Sequence, residues 1–238
     1  MRILKNIKSL LVISLFLNFL LVGMGSIVVQ KIGGIEFIKK QMQPAPSGKG
    51  TSDYYFTKKS ILDQSDVKDV HKIFIGDSIT DYGEFQEYFP NEVVLNRGIR
   101  NDVSKGVLNR IQEVVNRNPK EAYLMIGVND IRYSKGSKNF EKHITAIVKS
   151  FKGENSKLFI QSILPVNNEL FGNEVSNKKV KQFNEILQRI AEENGIEYID
   201  LHSSFVDQNG QLDEKFTIDG IHLNGEGYKV WMDALRRK

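Results

Sequence analysis

The sequence contains no cysteine among its 238 residues. Disulfide bonds, thiolate nucleophiles, cysteine-based zinc sites and lipid attachment through a cysteine are therefore excluded. The Gly-x-Gly-x-x-Gly fingerprint and the P-loop are missing too, so nucleotide cofactors are not indicated. The nearest candidate for a metal site is Asp200, His202 and Asp207, but their spacing is not that of a ligand set. We therefore expect neither a cofactor nor a metal.

Most of the chain also lacks an excess of positive charge. Of 33 Lys/Arg and 29 Asp/Glu, residues 1–50 hold seven basic residues and one acidic residue, which leaves 26 basic and 28 acidic residues beyond them. The pI of about 9.0 therefore reflects the N-terminal segment alone. Since the remainder has no charge suited to a phosphate backbone, nucleic acid is not an expected partner.

The N-terminal segment contains one long uncharged run, Ser9–Val29, which follows the basic residues Arg2, Lys5 and Lys8. Its 21 apolar-rich residues are enough to cross a bilayer core as a helix. We predict a single-pass membrane anchor with the rest of the chain outside the cytoplasm. The alternative is a secretory signal cleaved near Gly23–Ser26, which would release a secreted protein. The run continues past that point, which favours the anchor.

The chain is predicted to divide into three parts. Residues 1–30 form the anchor or signal, residues 31–52 a tether, and residues 53–238 the globular domain. The stretch from Gln43 to Gly50 is rich in Pro, Gly and Ser and has no apolar period, which is typical of a spacer.

Within the domain, apolar strand-like runs alternate with amphipathic helical periods. The runs cover residues 72–76, 92–95, 122–127, 157–163 and 196–200. Between them, three helical faces carry apolar residues: Val103, Val107, Leu108, Ile111, Val114 and Val115; Phe140, Ile144, Ile147, Val148 and Phe151; and Val180, Phe183, Ile186, Leu187 and Ile190. This alternation predicts an α/β fold with a five-stranded parallel sheet covered on both faces. The carboxyl ends of all strands then lie at one edge.

Four polar stretches should meet at that edge or beside it. They are Gly76-Asp77-Ser78, Asn96-Arg97-Gly98, Gly127-Val128-Asn129-Asp130, and Asp219-Gly220-Ile221-His222-Leu223 near the end of the chain. Each motif is weak alone, because Gly-Asp-Ser also occurs in ordinary surface turns.

Together the four stretches supply the groups that acyl transfer from an ester requires. Ser78 is the candidate nucleophile, His222 the base that takes its proton, and Asp219 the acid that orients the imidazole. The backbone N–H groups of Ser78 and Gly98 and the side-chain amide of Asn129 are candidate donors to the oxyanion. Glycine at position 98 would let the backbone approach the substrate closely.

These residues resemble the SGNH (GDSL-type) hydrolases, whose conserved blocks contribute a Ser, a Gly, an Asn and a His. The resemblance covers about residues 70–236, with all four blocks in the family's order. It implies a flavodoxin-like three-layer α/β/α sandwich, with Ser78, Gly98, Asn129 and His222 as functional residues and Asp219 as the triad acid. Ile79 stands where the name-giving motif has Leu, as in the platelet-activating-factor acetylhydrolase-like branch.

Other polar residues have structural interpretations. Asp77 is expected to cap a helix, Asp130 to brace its loop, and His71, His143 and His202 to be structural. The second block continues as Arg100-Asn101-Asp102, where many relatives have small residues. Arg97 and Arg100 fit contact with an anionic or sugar substrate and solvent exposure equally well.

We therefore expect a serine esterase that removes small acyl groups, with acetyl favoured, from carbohydrate outside the cytoplasm. The substrate is a small acyl ester of a carbohydrate or lipid, and the membrane is contacted through the N-terminal helix. The motifs fit three alternatives: an O-acyltransferase with the same triad, a lysophospholipase or lipase, and a non-catalytic carbohydrate-binding module. Nothing in the sequence assigns an oligomeric state.

Overall fold

The computed structural model describes residues 14, 15, 17–19, 52–133 and 136–236. The chain divides into two units, Met1–Ala45 and Pro46–Lys238. In the first unit the five described residues are helical. Among the described residues, no helix has the length and apolar character needed to cross a bilayer. The predicted anchor over Ser9–Val29 and the predicted tether lie almost entirely outside the described residues, and they stay predictions.

The second unit is built on five parallel strands. They are β1 (Lys72–Gly76), β2 (Val94–Gly98), β3 (Glu121–Met125), β4 (Lys157–Gln161) and β5 (Glu197–Ile199). Their order in the sheet is β2-β1-β3-β4-β5, and every neighbouring pair is parallel. The prediction of a five-stranded parallel sheet is confirmed.

Ten α-helices and one 3-10 helix surround the sheet in the part of this unit that the structure describes. They are α1 (Ser52–Asp63), α2 (Ser78–Asp81), α3 (Phe85–Tyr88), α4 (Ser104–Val115), α5 (Val128–Tyr133), α6 (Ser137–Ser150), α7 (Asn168–Phe171), α8 (Asn177–Asn194), α9 (His202–Phe205), the 3-10 helix Glu214–Phe216 and α10 (Gly225–Arg236). The apolar faces predicted for α4, α6 and α8 are buried in the core, with Leu108 and Ile186 partly so, except that Val103 lies half-buried at the N-cap of α4. Helix α8 ends at Gly195 in a left-handed conformation (φ +65°), as its Asn-Gly sequence predicts.

Helices cover both faces of the sheet in a three-layer α/β fold. On one face α4 packs against α6, and α6 packs against α8. On the other face Phe74 of β1 stacks on Phe85 of α3 at 3.9 Å between ring centres and meets Trp231 of α10 edge-on. Trp231 is fully buried, and its Nε1 donates a hydrogen bond of 2.6 Å to Gln161 at the end of β4. Trp231 is thus a core residue.

Strand β2 differs from the sequence prediction. The apolar run at residues 92–95 predicts a strand that ends before Asn96, whereas the strand runs from Val94 to Gly98. Polar residues are tolerated there because each has partners. Arg97 pairs with Glu113 of α4 at 3.1 Å, and Asn96 donates to the carbonyl oxygens of Thr80 and Gly83 at 2.7 and 2.8 Å. Asn96, Arg97 and Gly98 therefore belong to the strand and do not form a loop after it.

A buried ion pair joins the carboxyl ends of two strands. The Nε and Nη2 atoms of Arg110 on α4 both lie 3.0 Å from Oδ2 of Asp102, just after β2. Arg110 Nη2 also donates to the carbonyl oxygen of Gly76 at the end of β1, at 3.1 Å. Both side chains are almost completely buried. The pair therefore fixes β1 and the loop after β2 to the same helix.

Replacing Arg110 with Met should destabilise the protein strongly. The substitution keeps most of the side-chain volume but leaves the Asp102 carboxylate buried without its partner, which typically costs about 3–5 kcal/mol. Urea unfolding followed by circular dichroism measures the change in the free energy of unfolding.

The matched control is Arg189→Met, which removes an exposed arginine whose partners Glu141 and Glu193 are also exposed. Its urea midpoint should equal that of the wild type. The double variant Arg110→Met/Asp102→Asn should recover part of the lost stability, because no charge is then left buried. Equal midpoints for Arg110→Met and wild type would contradict the proposed role of the pair.

Candidate active site

Ser78 is the first residue of helix α2, which begins just after strand β1. Strand β1 ends at Gly76, and the Asp77 side chain accepts a hydrogen bond of 3.0 Å from the backbone N–H of Ile79. Asp77 therefore caps α2, as predicted. The register pairs Gly76 with Gly98 on one side and with Met125 on the other, so these strand ends lie at the same level. Strand β2 lies on one side of β1 and β3 on the other, so the strand order reverses beside β1. Open α/β sheets place their sites at such a reversal.

Ser78, His222 and Asp219 form a continuous hydrogen-bonded chain. Oγ of Ser78 lies 2.9 Å from Nε2 of His222, and Nδ1 of the same ring lies 2.6 Å from Oδ2 of Asp219. Because the carboxylate can only accept, the ring proton belongs on Nδ1, and Nε2 is left to accept from the serine hydroxyl. The three side chains thus have the arrangement of a nucleophile, a base and an orienting acid.

The loop that carries Asp219 and His222 is short and closed at its base. Thr217 and Leu223 form an antiparallel bridge, and the Thr217 hydroxyl donates to the carbonyl oxygen of His222 at 2.7 Å. Gly220 has a φ of +88°, and a Cβ there would meet the carbonyl oxygen of Asn167 at 2.6 Å. Glycine is required here for both its backbone angle and its lack of a side chain.

The Asp219 carboxylate both shapes this loop and orients the imidazole. Its Oδ1 accepts from the backbone N–H groups of Ile221 and His222 at 3.0 and 2.8 Å, while Oδ2 accepts from the ring. Partial burial alone would raise the pKa of Asp219, but the hydrogen bonds from the His222 side chain and from the two backbone groups outweigh it and lower that pKa. Asp219 is therefore ionised at neutral pH. Its side chain is 50% exposed, against 26% for His222.

The three predicted oxyanion donors lie at the ends of β1, β2 and β3. The N–H of Ser78 is at the first position of α2, where a helix has no internal acceptor. Asn129, in the first turn of α5, is buried, and its Nδ2 donates one hydrogen to the Asp102 carbonyl oxygen at 3.0 Å. An amide nitrogen carries two hydrogens, so one is left for another acceptor. The N–H of Gly98 donates to Oδ1 of Asn96 at 2.8 Å.

The structure shows a reason for glycine at position 98 in addition to the one predicted. A Cβ at this position would meet the backbone N of Asp81 at 2.1 Å and the carbonyl carbon of Thr80 at 2.5 Å. The close approach is therefore between β2 and helix α2. Any larger residue would push away the helix that begins with Ser78.

Three residues that support the site were not assigned roles by the sequence analysis: Asn96, Asp102 and Arg110. A signal for Arg110 exists, because it lies on the same helical face as Val107 and Val114, where a charge indicates a buried pair. Asn96 and Asp102 stand in the second block, but their hydrogen bonds reach residues distant in the sequence.

Asp130, His71 and His143 make contacts within the fold, as their predicted structural roles require. Asp130 accepts from the backbone N–H and the hydroxyl of Ser104 at 2.8 and 2.5 Å, and His143 Nδ1 lies 2.9 Å from that hydroxyl. His71 accepts from the backbone N–H of Val93. Asp207 accepts from backbone N–H groups of its own turn. Among the described residues, no group of three or more His, Asp or Glu side chains is arranged to hold a metal ion.

Comparison with known proteins shows which family this geometry belongs to. Residues 74–230, well over half of the chain, match the GDSL-like Lipase/Acylhydrolase family. The chain belongs to this family, and the resemblance inferred from its motifs is confirmed.

Individual relatives and a solved structure indicate which kind of acylhydrolase this chain resembles. Platelet-activating factor acetylhydrolase IB subunit alpha2 of Rattus norvegicus is 27% identical over 177 residues, which cover 71% of this chain and 75% of that protein. The isoamyl acetate-hydrolyzing esterase of Saccharomyces cerevisiae is 24% identical over 166 residues, which cover 63% and 69%. A solved structure from Streptococcus pneumonia, provisionally described as a platelet activating factor, is 27% identical with a TM-score of 0.70 and covers 79% of this chain and 92% of its own. The protein is thus an ester hydrolase of the GDSL type.

Stability should depend on pH through the carboxyl group of Asp77. Burial raises its pKa to about 7, and the nearby carboxylates of Asp102 and Asp130 act in the same direction. A carboxyl group whose pKa is higher in the folded state holds its proton where the unfolded chain has released it. The free energy of unfolding therefore falls as pH rises from about 4 to about 7 and levels off above that.

Asp77→Asn keeps the oxygen that caps α2 but cannot titrate. The difference in unfolding free energy between variant and wild type should change by on the order of 1–4 kcal/mol between pH 4 and 8, in favour of the variant at high pH. Part of the slope should persist in the variant, because burial also raises the pKa values of Asp102 and Asp130, each to about 6. Parallel stability profiles for the two proteins would refute the assignment.

Proposed function

We propose that the protein is a serine esterase that hydrolyses small acyl esters through Ser78, His222 and Asp219. The observation that carries this proposal is the hydrogen-bonded chain from Ser78 Oγ through the imidazole to the Asp219 carboxylate, with links of 2.9 and 2.6 Å. Membership of an acylhydrolase family supports the same chemistry.

In the first step the Ser78 oxygen attacks the carbonyl carbon of the ester. Nε2 of His222 takes the hydroxyl proton as the new C–O bond forms, and the imidazolium is stabilised by Asp219. The tetrahedral intermediate then collapses, and the alcohol leaves with the proton that His222 returns. The product of this step is an acylated Ser78.

The negative oxygen of the tetrahedral intermediate needs donors that are already oriented. In this proposal the Ser78 N–H and the second amide hydrogen of Asn129 supply two of them. The Gly98 N–H is the third donor, and it shares its hydrogen between Asn96 Oδ1 and the oxyanion when the substrate is bound.

Water completes the reaction by the same route in reverse. His222 removes a proton from water, the resulting hydroxyl attacks the acyl carbon, and Ser78 leaves with the proton from the imidazolium. Overall one ester and one water give one carboxylic acid and one alcohol, with no other reactant. No step requires a cofactor.

We further propose that the acyl group is acetyl and that the substrate is carbohydrate outside the cytoplasm. The two curated relatives are named for acetyl esters, which supports the acyl part. The predicted membrane anchor supports the location, because it would hold the domain at the cell envelope.

Triad variants of the full-length protein should lose activity in a graded order. Ser78→Ala and His222→Ala should each lower kcat on p-nitrophenyl acetate by at least about 10³-fold. Asp219→Ala should cost less, about 10- to 100-fold, because water can partly replace a carboxylate that is half exposed. Steady-state hydrolysis measured by release of p-nitrophenol tests all three.

Ser203→Ala is the matched control, since this exposed serine contacts Asp200 outside the triad. It should retain wild-type activity. Wild-type rates on p-nitrophenyl acetate, butyrate and octanoate should fall with chain length if acetyl is the preferred group. Equal rates for wild type and Ser78→Ala would contradict the serine mechanism, and a preference for octanoate would contradict the acetyl assignment.

A further inference from the structure

Arg100 lies beside the candidate site with its guanidinium group held between two tyrosine rings. Its Cζ lies 5.0 Å from the centre of the Tyr54 ring and 5.3 Å from that of Tyr82. Cation–ring attraction of this kind restrains a side chain that would otherwise be free to move. Arg100 is exposed, and within residues 52–133 and 136–236 no carboxylate forms an ion pair with it.

The ring that carries Arg100 also touches the proposed base. The centres of the Tyr82 and His222 rings are 4.9 Å apart. In the proposed reaction His222 gives its proton to the leaving alcohol, so the alcohol oxygen must lie within hydrogen-bonding distance of Nε2. The alcohol portion of the substrate is therefore placed next to Tyr82, on the side of the site where Arg100 lies.

Tyr54, one of the two rings beside Arg100, also binds the acidic side chain of Asp81. Asp81 is bound by the Tyr54 hydroxyl at 2.5 Å and by Nζ of Lys58 at 2.9 Å, and its side chain is 3% exposed. Among residues 52–133 and 136–236, the positive charge of Arg100 is thus not neutralised by an ion pair. The N–H donors of a guanidinium group match a planar or tetrahedral anion.

We propose that Arg100 is a specificity-determining residue that binds an anionic group, a carboxylate or a phosphate, on the alcohol portion of the ester. Tyr54 is a positioning residue for it and comes from α1, which precedes the residues 74–230 that match the family. This inference rests on the proposed esterase function and names the substrate class for that site.

Three acetate esters of similar shape test the inference. Methyl 4-acetoxybenzoate is neutral, 4-acetoxybenzoate carries a carboxylate, and 4-acetoxyphenyl phosphate carries a phosphate. Arg100→Gln in the full-length protein should lower kcat/KM by about tenfold for an anionic ester and by less than about twofold for the neutral one. The loss should appear mainly as a higher KM, because the contact is made equally in the ground state and the transition state.

Further variants distinguish an effect of the Arg100 charge from an effect on the folded structure. Arg100→Lys should keep part of the preference, since the charge remains but the planar fork is lost. Tyr54→Leu should give an intermediate loss on the anionic esters, because one of the two restraining rings is removed. Arg189→Gln removes an exposed arginine that pairs with Glu141 and Glu193, and it should change no ratio. Added salt should reduce the wild-type advantage of the anionic esters.

The possible results with the three esters distinguish failure of the inference from failure of the proposed function. A selective loss on the carboxylate or on the phosphate ester supports the inference and identifies the anion. An equal loss on all three esters, or no loss on any, overturns it while leaving the esterase function intact. Failure of the wild type to hydrolyse even the neutral ester would overturn the proposed function itself.

Discussion

The geometry of the site depends on one buried ion pair between Arg110 and Asp102. Removing two charges from water is costly, so such a pair is stable only when its remaining donors and acceptors are also satisfied. Here the guanidinium also binds the carbonyl oxygen of Gly76, and the backbone carbonyl of Asp102 binds the amide of Asn129. This ion pair therefore links the ends of β1 and β2 with Asn129, in the helix that follows β3. The positions of the nucleophile and of the proposed oxyanion donors are fixed together.

Much of this architecture could be predicted from the sequence because the pattern has a simple physical basis. Alternating apolar runs and amphipathic periods define a parallel sheet, and a parallel sheet brings the ends of its strands to one edge. Ser78 and Asn129 were placed by that argument alone. The pair Asp219 and His222 was placed by its three-residue spacing, which a tight loop reproduces.

The features that were not predicted depend on side chains meeting across the fold. Nδ2 of Asn96 donates to the carbonyl oxygens of Thr80 and Gly83, and its Oδ1 accepts from the N–H of Gly98. Periodicity contains no information about such contacts. The close packing of Gly98 against the backbone of α2 was missed for the same reason. Sequence predicts which residues reach the edge, and packing decides what each one touches there.

If Ser78 is the nucleophile and His222 the base, as proposed, the two groups are joined late in the synthesis of the chain. The contact between them spans 144 residues, and the Tyr228 hydroxyl on the last helix binds the Ile79 carbonyl across 149 residues. A growing chain therefore carries its serine long before it carries the group that activates it. The proposed mechanism therefore implies no hydrolytic activity during synthesis, or during any passage across a membrane as an extended chain. In the proposed mechanism, activity begins only when the C-terminal segment docks, after all five strands have been made.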